Sequence, residues 1–552
     1  MLTTPEQNEI IALANNCSNT DVVLVEAAAG TGKTTTLKHL VAGRRAVQRD
    51  DAILYLAFNR EAVTEAVNSP IFQEARVDIR TCNSLTMKWW SDHYLVQLTS
   101  ASAAASASAP AAASASAAAA ATAATAATAD TDAADISLMF TDQAENHTDT
   151  IIRLLGDRLN SVHGDTEKQL AALFSWQTFE RFCLSQDRVP SDTHVDQKYW
   201  TRDSKKQYIS AAALPYAACA RHLFSLVEQN HPDMLITFAA VDKLCSLSRH
   251  QFQNWRRKLY DIILVDEAQD WNPAQLAMVT QQDCAMQIFV GDSNQSLYSF
   301  RGAAGDLQPL KCFATRAYKL RTSFRFGRAI ATVANHLLWW KAQLLIMRKK
   351  DTACCDMTVV GGSSIEGRVF LYEQWSGPAP PAAVAPPSLT APLTILVRTN
   401  RTLVKEVCLL IKQYGTTTNG FTVTFASSKY NDLESFMNDA EPHLSRDLLE
   451  SCLVHGRDRV NVCARVLTVH YAKGLEFERV RLADDLKPLV SKKQQESNWN
   501  DYGTTDPATD LNLWYVAVTR AKEELQMNKH WSDFLQSSND DNFQKKFGEF
   551  RC

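Results

Sequence analysis

Lys33 and Thr34, directly behind Gly30, Thr31 and Gly32, are the residues of this chain best suited to handling phosphate. Glycines let backbone N–H groups approach an anion closely, a lysine reaches terminal phosphate oxygens, and a threonine hydroxyl is a hard ligand for Mg²⁺. Far along the chain, Asp266 and Glu267 form a second set: one acid to hold a metal through its waters, the other to polarise an attacking water. Gln295 is an amide able to sense a terminal phosphate. Arg325, between Phe324 and Phe326, carries the planar, permanent charge that suits a transferring phosphoryl group. Gln7 has the donor and acceptor of an adenine-reading amide, although taken alone it is better explained as a surface glutamine. Tyr298 and Phe300, followed by Arg301, offer flat faces for bases.

Each of these residues needs an element to aim it. The β-branched run over 22–25 reads as a buried parallel strand, which breaks into small residues before Lys33 opens a run of helix formers. Strand, tight turn and helix N-terminus together make an anion cradle, because the first N–H groups of a helix have no partner within it. Ala27 stands where the phosphate-loop pattern G-x-x-x-x-G-K-[ST] begins with Gly; Gly30 and Gly32 still supply the close backbone approach. Further strands are expected over 53–60 and 77–84, each emptying into polar residues, over 262–265 ahead of the acid pair, and from 287 ahead of Asp292. Polar residues at strand ends of an open α/β sheet face the ligand crevice, although ordinary loop polarity explains Phe58-Asn59-Arg60 and Thr81-Cys82-Asn83-Ser84 equally well. A second set of strands is expected over 394–397, 421–425, 465–469 and 480–482, followed by an apolar helix pattern from Leu513 to Lys522 and a polar tail.

A chain of 552 residues exceeds one core and implies two to four domains. The 45% hydrophobic and 21% charged composition is that of an ordinary globular protein. With 57 Lys+Arg against 61 Asp+Glu, any nucleic-acid contact must come from a local basic groove and not from overall charge. Thirteen cysteines without a C-x-x-C pair indicate neither a disulfide framework nor a zinc ribbon, so reduced thiols are expected. The N-terminus lacks a leader pattern, and no run approaches a membrane span. The Ala/Ser/Thr segment 100–135 holds nothing large to bury and is expected to be a disordered insert, and the Pro/Ala stretch 377–392 a linker or extended loop. Two mixtures of aromatics and cations, Trp200 to Tyr208 and Trp255 to Lys258, suit base stacking, and a helix surface beside a core Trp explains them equally.

Taken in order, AAAGTGKT, LAFNREA, TCNSL, VDEAQD, VGDSNQSLYSFRGA, SFRFG, ILVRTN, TVHYAKGLEF and NLWYVAVTRAK resemble the motif series of UvrD/Rep-type DNA helicases of superfamily one, and in particular the eukaryotic F-box DNA helicases. The resemblance implies an α/β fold: two RecA-like P-loop domains with parallel sheets, a mainly helical insertion in the first and a reduced insertion in the second. The expected division is 1–84 and 259–320 for the first domain, 85–258 for its insertion, 321–530 for the second domain with a polar insert over 491–510, and 531–552 for a tail. It further implies ATP and Mg²⁺ as cofactors. Ala29, Gly30, Thr31, Gly32, Lys33, Thr34 and Thr35 would cradle the nucleotide, with Gln7 and Phe324 on its base and Glu476 reaching it from the second domain. Thr34 and Asp266 would serve the metal. Lys33, Glu267, Gln295 and the two arginine fingers Arg325 and Arg520 would be catalytic. Phe58, Asn59, Thr81, Asn83, Tyr298, Phe300, Arg301 and His470 fall on the single-strand contacts.

The expected activity is therefore that of a DNA-stimulated ATPase and helicase on single-stranded DNA and strand junctions, with 3′-to-5′ movement implied. A role in repair or recombination, a nuclear location, a monomer, and contact with recombinase or replication proteins are also expected. Two other readings stand beside it: a translocase that strips proteins with little unwinding, and a non-catalytic scaffold. Thr81-Cys82-Asn83-Ser84 departs from the usual T-F-H-S, and Tyr471 replaces Lys or Ser. No F-box segment precedes Gln7, so an adaptor-mediated ubiquitin-ligase role is not expected.

Overall fold

A computed structural model describes residues 3–15, 21–48, 50–92, 148–196, 215–298, 302, 307–347, 357–364, 366–372, 392–415, 421–430, 432–440, 444–454, 462–486, 507–528, 530–531 and 534–535. Phe300, Arg301, the segment 100–135, the Trp200 cluster, and most of the 377–392 and 491–510 stretches lie outside the described residues.

The expected strands of the N-terminal half become β1 (Asp21–Ala27), β2 (Ile53–Ala57), β3 (Asp78–Thr81), β4 (Ile262–Val265) and β5 (Met286–Gly291), and β6 (Arg316–Leu320), a mixed and partly buried stretch, is an addition to the sequence reading. They form one sheet in the order β3-β2-β4-β5-β1-β6, with every pairing parallel. Parallel strands covered on both faces read as near-continuous apolar sequence, because alternate residues enter two different cores. Val23, Val25, Tyr55, Leu264 and Val290 meet Leu37 and Leu40 of the helix Lys33–Val47 on one side. Leu24, Leu56, Val265 and Phe289 share the opposite core with Trp176, Phe179 and Phe182. Those aromatics belong to the helix Asp165–Leu184, one of several helices, with Thr148–Leu155, Tyr216–Glu228 and Phe238–Ser248, inserted between β3 and β4. The helix Cys82–Trp90 runs continuously from the first lobe into this insertion, across the boundary expected at 84.

A short parallel pair, β7 (Thr322–Ser323) with β8 (Val360–Gly361), leads into the second lobe. There β9 (Arg368–Tyr372), β10 (Leu393–Val397), β11 (Val423–Ala426), β12 (Ala464–Thr468), β13 (Phe477–Leu482) and β14 (Ala521–Asn528) form a second parallel sheet, ordered β11-β12-β10-β13-β14-β9. Two of these strands, β9 and β14, are additions to the sequence reading. The apolar helix stops at Val518, and Ala521 and Lys522 already open β14. That helix begins at Pro507, so the expected polar insert ends before 510. The tail expected from 531 is also corrected: Trp531, Phe534 and Leu535 are buried in the second lobe's core against Trp514, because a few large apolar residues suffice to dock a segment that is polar on average. Between Arg398 and Thr468, the strand β11 and the helices Asn400–Tyr414, Leu433–Ala440 and Arg446–Cys452 share the core on one face of this same sheet. Among the described residues no helix is long and apolar enough to cross a membrane.

Candidate active site

The loop after β1 turns on two glycines in the left-handed region, Gly30 at φ 73° and Gly32 at φ 76°. A Cβ at Gly30 would lie 2.6 Å from both the Arg325 Cβ and the Ser323 Oγ, so the position is closed to any side chain. Gly32 caps the helix Lys33–Val47 without a side-chain hydrogen bond, whereas Thr4, Asn59, Thr81, Thr237, Asn272 and Thr399 each cap a helix with a side-chain oxygen. The N-terminus of this fifteen-residue helix therefore presents uncapped N–H groups to an anion. Thr31 is buried and donates to the Ala28 carbonyl at 2.9 Å, which fixes the loop, while Thr35 is exposed on the first helical turn.

Gln7 is buried beside the loop, donating to the Thr31 carbonyl at 3.2 Å and to the Thr36 hydroxyl at 3.1 Å, while its own oxygen accepts the Thr4 N–H. A Cβ at Gly32 would meet the Gln7 Nε2 at 3.0 Å and the Phe324 ring at 3.8 Å, so Gln7 and Phe324 flank the same side of the loop. The Phe324 N–H donates to the Gly30 carbonyl at 2.8 Å.

At the end of β4, Asp266 accepts from the Thr34 hydroxyl at 3.0 Å and from the Tyr55 hydroxyl at 2.6 Å. Burial, with the neighbouring Glu267, pushes the Asp266 carboxyl up from its ordinary range, against the pull of Lys33. Glu267 adopts φ 50°, a strained conformation for a residue with a side chain, and this turns its carboxylate to Lys33 at 3.2 Å. Burial opposes its ionisation, but Lys33 and Lys473 outweigh that and hold it down at about 2. Burial likewise acts to lower the Lys33 pKa; Glu267, Asp292 and Asp266 overcome it, and the net shift is upward. Gln269, which lies within VDEAQD and has no role in the sequence reading, donates to Glu267 at 2.6 Å and accepts the Asp292 N–H at 2.9 Å, which ties the ends of β4 and β5 together. A Cβ at Gly291 would fall 2.5 Å from the Gln269 oxygen.

The second lobe closes on this set with residues that precede β13 and β14 and with side chains from its helices. Arg520, one residue before β14, is fully buried and donates to Gln295 Oε1 at 3.1 Å and to the Leu475 and Val516 carbonyls. Burial, followed by the nearby Arg325, lowers its pKa to about 9. Gln295 in turn donates to Asp292 at 2.8 Å. Arg325, packed against Gly30, donates to Glu476 at 2.9 Å and to the Thr519 carbonyl at 2.9 Å. Burial opposes ionisation of Glu476, and Arg325 leads the cations that hold its pKa below normal. Lys473 forms an ion pair with Asp270 and donates to the Gln295 carbonyl at 2.7 Å. Asn512 and Lys341 reach the Ser293 carbonyl from the same side, and the Tyr515 hydroxyl accepts the Ala29 N–H at 3.3 Å.

A second cluster adjoins the first. Phe58 stacks on Tyr298 with ring centroids 5.3 Å apart, His470 lies 6.4 Å from Tyr298, and the Lys473 ammonium sits 5.0 Å from the Tyr298 ring centre. Thr81 pairs in register with Ala57, beside Phe58. Asn59 and Thr81 use their side-chain oxygens to cap the helices Arg60–Val67 and Cys82–Trp90, and Asn83 lies in the first turn of the latter. Trp255 is far more exposed, 78%, on a turn before β4, at the opposite end of that strand from Asp266.

Two family descriptions cover most of the chain: the UvrD/REP helicase N-terminal domain over residues 4–308 and the UvrD-like helicase C-terminal domain over 326–532. F-box DNA helicase protein 1 of Schizosaccharomyces pombe is 26% identical over 423 residues, 66% of this chain and 44% of that protein. F-box DNA helicase 1 of Gallus gallus is 28% identical over 431 residues, 68% and 38% respectively. A probable DNA helicase of Mycoplasma pneumoniae is 26% identical over 275 residues, 48% and 42%. The chain thus aligns with less than half the length of each of these relatives.

Proposed function

The chain belongs to the UvrD/REP family of DNA helicases, and from that premise we propose that it is a DNA-stimulated ATPase that moves along single-stranded DNA and separates strands. The observation that carries this reading is the chain of bonds from Lys33 and Glu267 of one lobe through Gln269, Asp292 and Gln295 to Arg520 of the other, with Arg325 held beside Arg520 by the Thr519 carbonyl and Glu476.

The residues present fit a magnesium nucleotide. The helix N-terminus is uncapped, the glycine positions are closed to side chains, and Thr34 and Asp266 already share a hydrogen bond that a hard cation between two oxygens would replace. ATP with Mg²⁺ would supply the terminal phosphoryl group whose transfer to water releases the driving free energy. Lys33 would leave Glu267 for the phosphates. The freed carboxylate, no longer held at low pKa by that ammonium, becomes a better acceptor for the proton of an attacking water. Arg325 and Arg520 would lie against the charge that develops on transfer, as cations at neutral pH brought in by the second lobe. Phe324 and Gln7 would meet the base. Gln295, bonded to Arg520 and neighbouring Tyr298 in sequence, would link turnover to DNA held at Phe58, Tyr298 and His470. The resemblance of the motif series extends the proposal to a nuclear protein of DNA repair or recombination with 3′-to-5′ movement, acting as a monomer on strand junctions.

The test is ATP turnover with and without single-stranded DNA, followed by strand separation on duplexes with a 3′ or a 5′ tail. Stimulation by DNA and unwinding from the 3′ tail are expected. Turnover indifferent to DNA would overturn the reading, and preference for the 5′ tail would overturn its direction.

A further inference from the structure

Tyr515 occupies an unusual place in the seam between the lobes. It belongs to the helix Pro507–Val518 of the second lobe and is 1% exposed, yet its hydroxyl accepts the N–H of Ala29, a backbone group of the phosphate loop in the first lobe. The Asp292 carboxylate stands beside it; burial, with this charge, keeps the phenol protonated far beyond the ordinary tyrosine range. Asp292 is itself engaged, accepting the Asn294 N–H at 2.9 Å and the Gln295 amide at 2.8 Å. One turn on, the Thr519 N–H donates to the Tyr515 carbonyl, the Thr519 carbonyl accepts Arg325, and Arg520 follows. Asn512, one turn earlier, grips the Ser296 carbonyl at 3.0 Å. A single short helix therefore meets the first lobe through Asn512 and Tyr515, and Arg520 extends the contact just beyond its end.

We infer that Tyr515 is a positioning residue for turnover: its hydroxyl holds the phosphate loop at Ala29 only while the lobes are closed, so that closure and loop geometry are joined through one phenol. If the lobes part, the hydroxyl leaves with its helix, and both the Ala29 N–H and the Asp292 side lose a neighbour that water must replace. The phenol therefore favours the closed arrangement and aligns the loop in it, without being needed for either lobe to fold.

This inference rests on the ATPase reading above. Tyr515→Phe keeps the ring and removes only the hydroxyl, so packing survives. With saturating single-stranded DNA, kcat for ATP should fall about tenfold or more while KM for ATP stays within about threefold, the signature of an interaction used after binding. The ratio of DNA-stimulated to basal rate should fall with it. Leu513→Ala, a buried apolar truncation in the same helix, serves as the comparison. It should lower the melting temperature more than Tyr515→Phe does and yet retain the stimulation ratio. Tyr515→Phe with unchanged kcat and stimulation, or with a kcat loss matched by Leu513→Ala, would overturn the inference. A wild-type protein without DNA-stimulated turnover would instead overturn the reading beneath it.

Discussion

At the scale of the residue, the decisive pair is Lys33 with Glu267. They lie 3.2 Å apart, and each accounts for the other's charge state. Their substitutions should therefore have different consequences. Lys33→Ala removes the cation that would contact phosphates and also frees Glu267, so nucleotide affinity and turnover should both collapse. Glu267→Gln keeps a side chain of the same shape and removes the proton acceptor, which is also the counter-ion of Lys33, while leaving the ammonium itself for the phosphates, so turnover should fall by at least ~100-fold while nucleotide binding persists. Binding of a fluorescent nucleotide, measured beside the ATPase rate, separates the two; a Glu267→Gln protein with parental turnover would exclude the assigned base. This pair was legible in the sequence because strand, turn and residue type coincide. Tyr55 and Gln269, which hold Asp266 and Glu267 in place, were not. Tyr55 reads as one more apolar residue of a buried strand, and its partner is 211 positions away.

At the scale of the element, the inner strands β1, β2, β4 and β5 of the first lobe were legible for the reason that makes them strands, since two buried faces demand continuous apolar sequence, whereas the edge strand β6, RAYKL and only partly buried, was not. β14 escaped because its buried positions include Glu524, Gln526 and Asn528. Glu524 pairs with Arg479 on β13 at 3.3 Å and with Arg368 on β9 at 3.3 Å, so neighbouring strands satisfy charges that a hydropathy pattern counts as exposed. A similar buried polar contact docks the helical insertion. Asp242, in the helix Phe238–Ser248, accepts from Thr86 at 2.6 Å and from Gln275 at 2.8 Å, joining three helices. Burial raises its pKa to about 6 in spite of both bonds. A carboxyl raised in the folded state binds its proton more tightly there than when unfolded. Its ionisation thus costs stability, and that cost grows as pH rises from about 4 to about 6, by roughly 3 kcal/mol in total. Asp242→Asn should remove this part of the slope. Melting temperatures of the two proteins should differ more at pH 7 than at pH 4, and a constant difference would show that Asp242 is not the group responsible.

At the scale of the whole molecule, the lobes meet through buried polar contacts, and Lys473 touches both clusters. It pairs with Asp270, donates to the Gln295 carbonyl, and sits beside the Tyr298 ring. Asp270 is itself held up at about 6, chiefly by burial and despite Lys473. Removing the ammonium with Lys473→Met leaves a carboxylate without its counter-ion in the seam, a change that costs about 3–5 kcal/mol when the charge must stay. The carboxyl can instead take up a proton, and without Lys473 its pKa can only rise further. The defect should therefore depend on pH in a defined direction: severe at pH 8, where Asp270 is still driven to ionise, and mild near pH 5.5, where it is neutral and needs no partner. The measurement is the DNA concentration that gives half-maximal stimulation of ATP turnover, compared between wild type and variant at the two pH values. Asp270→Asn added to Lys473→Met should recover much of the loss at pH 8. A deficit of equal size at both pH values, unrelieved by the second substitution, would mean that Lys473 acts through Tyr298 and the DNA and not through the buried pair.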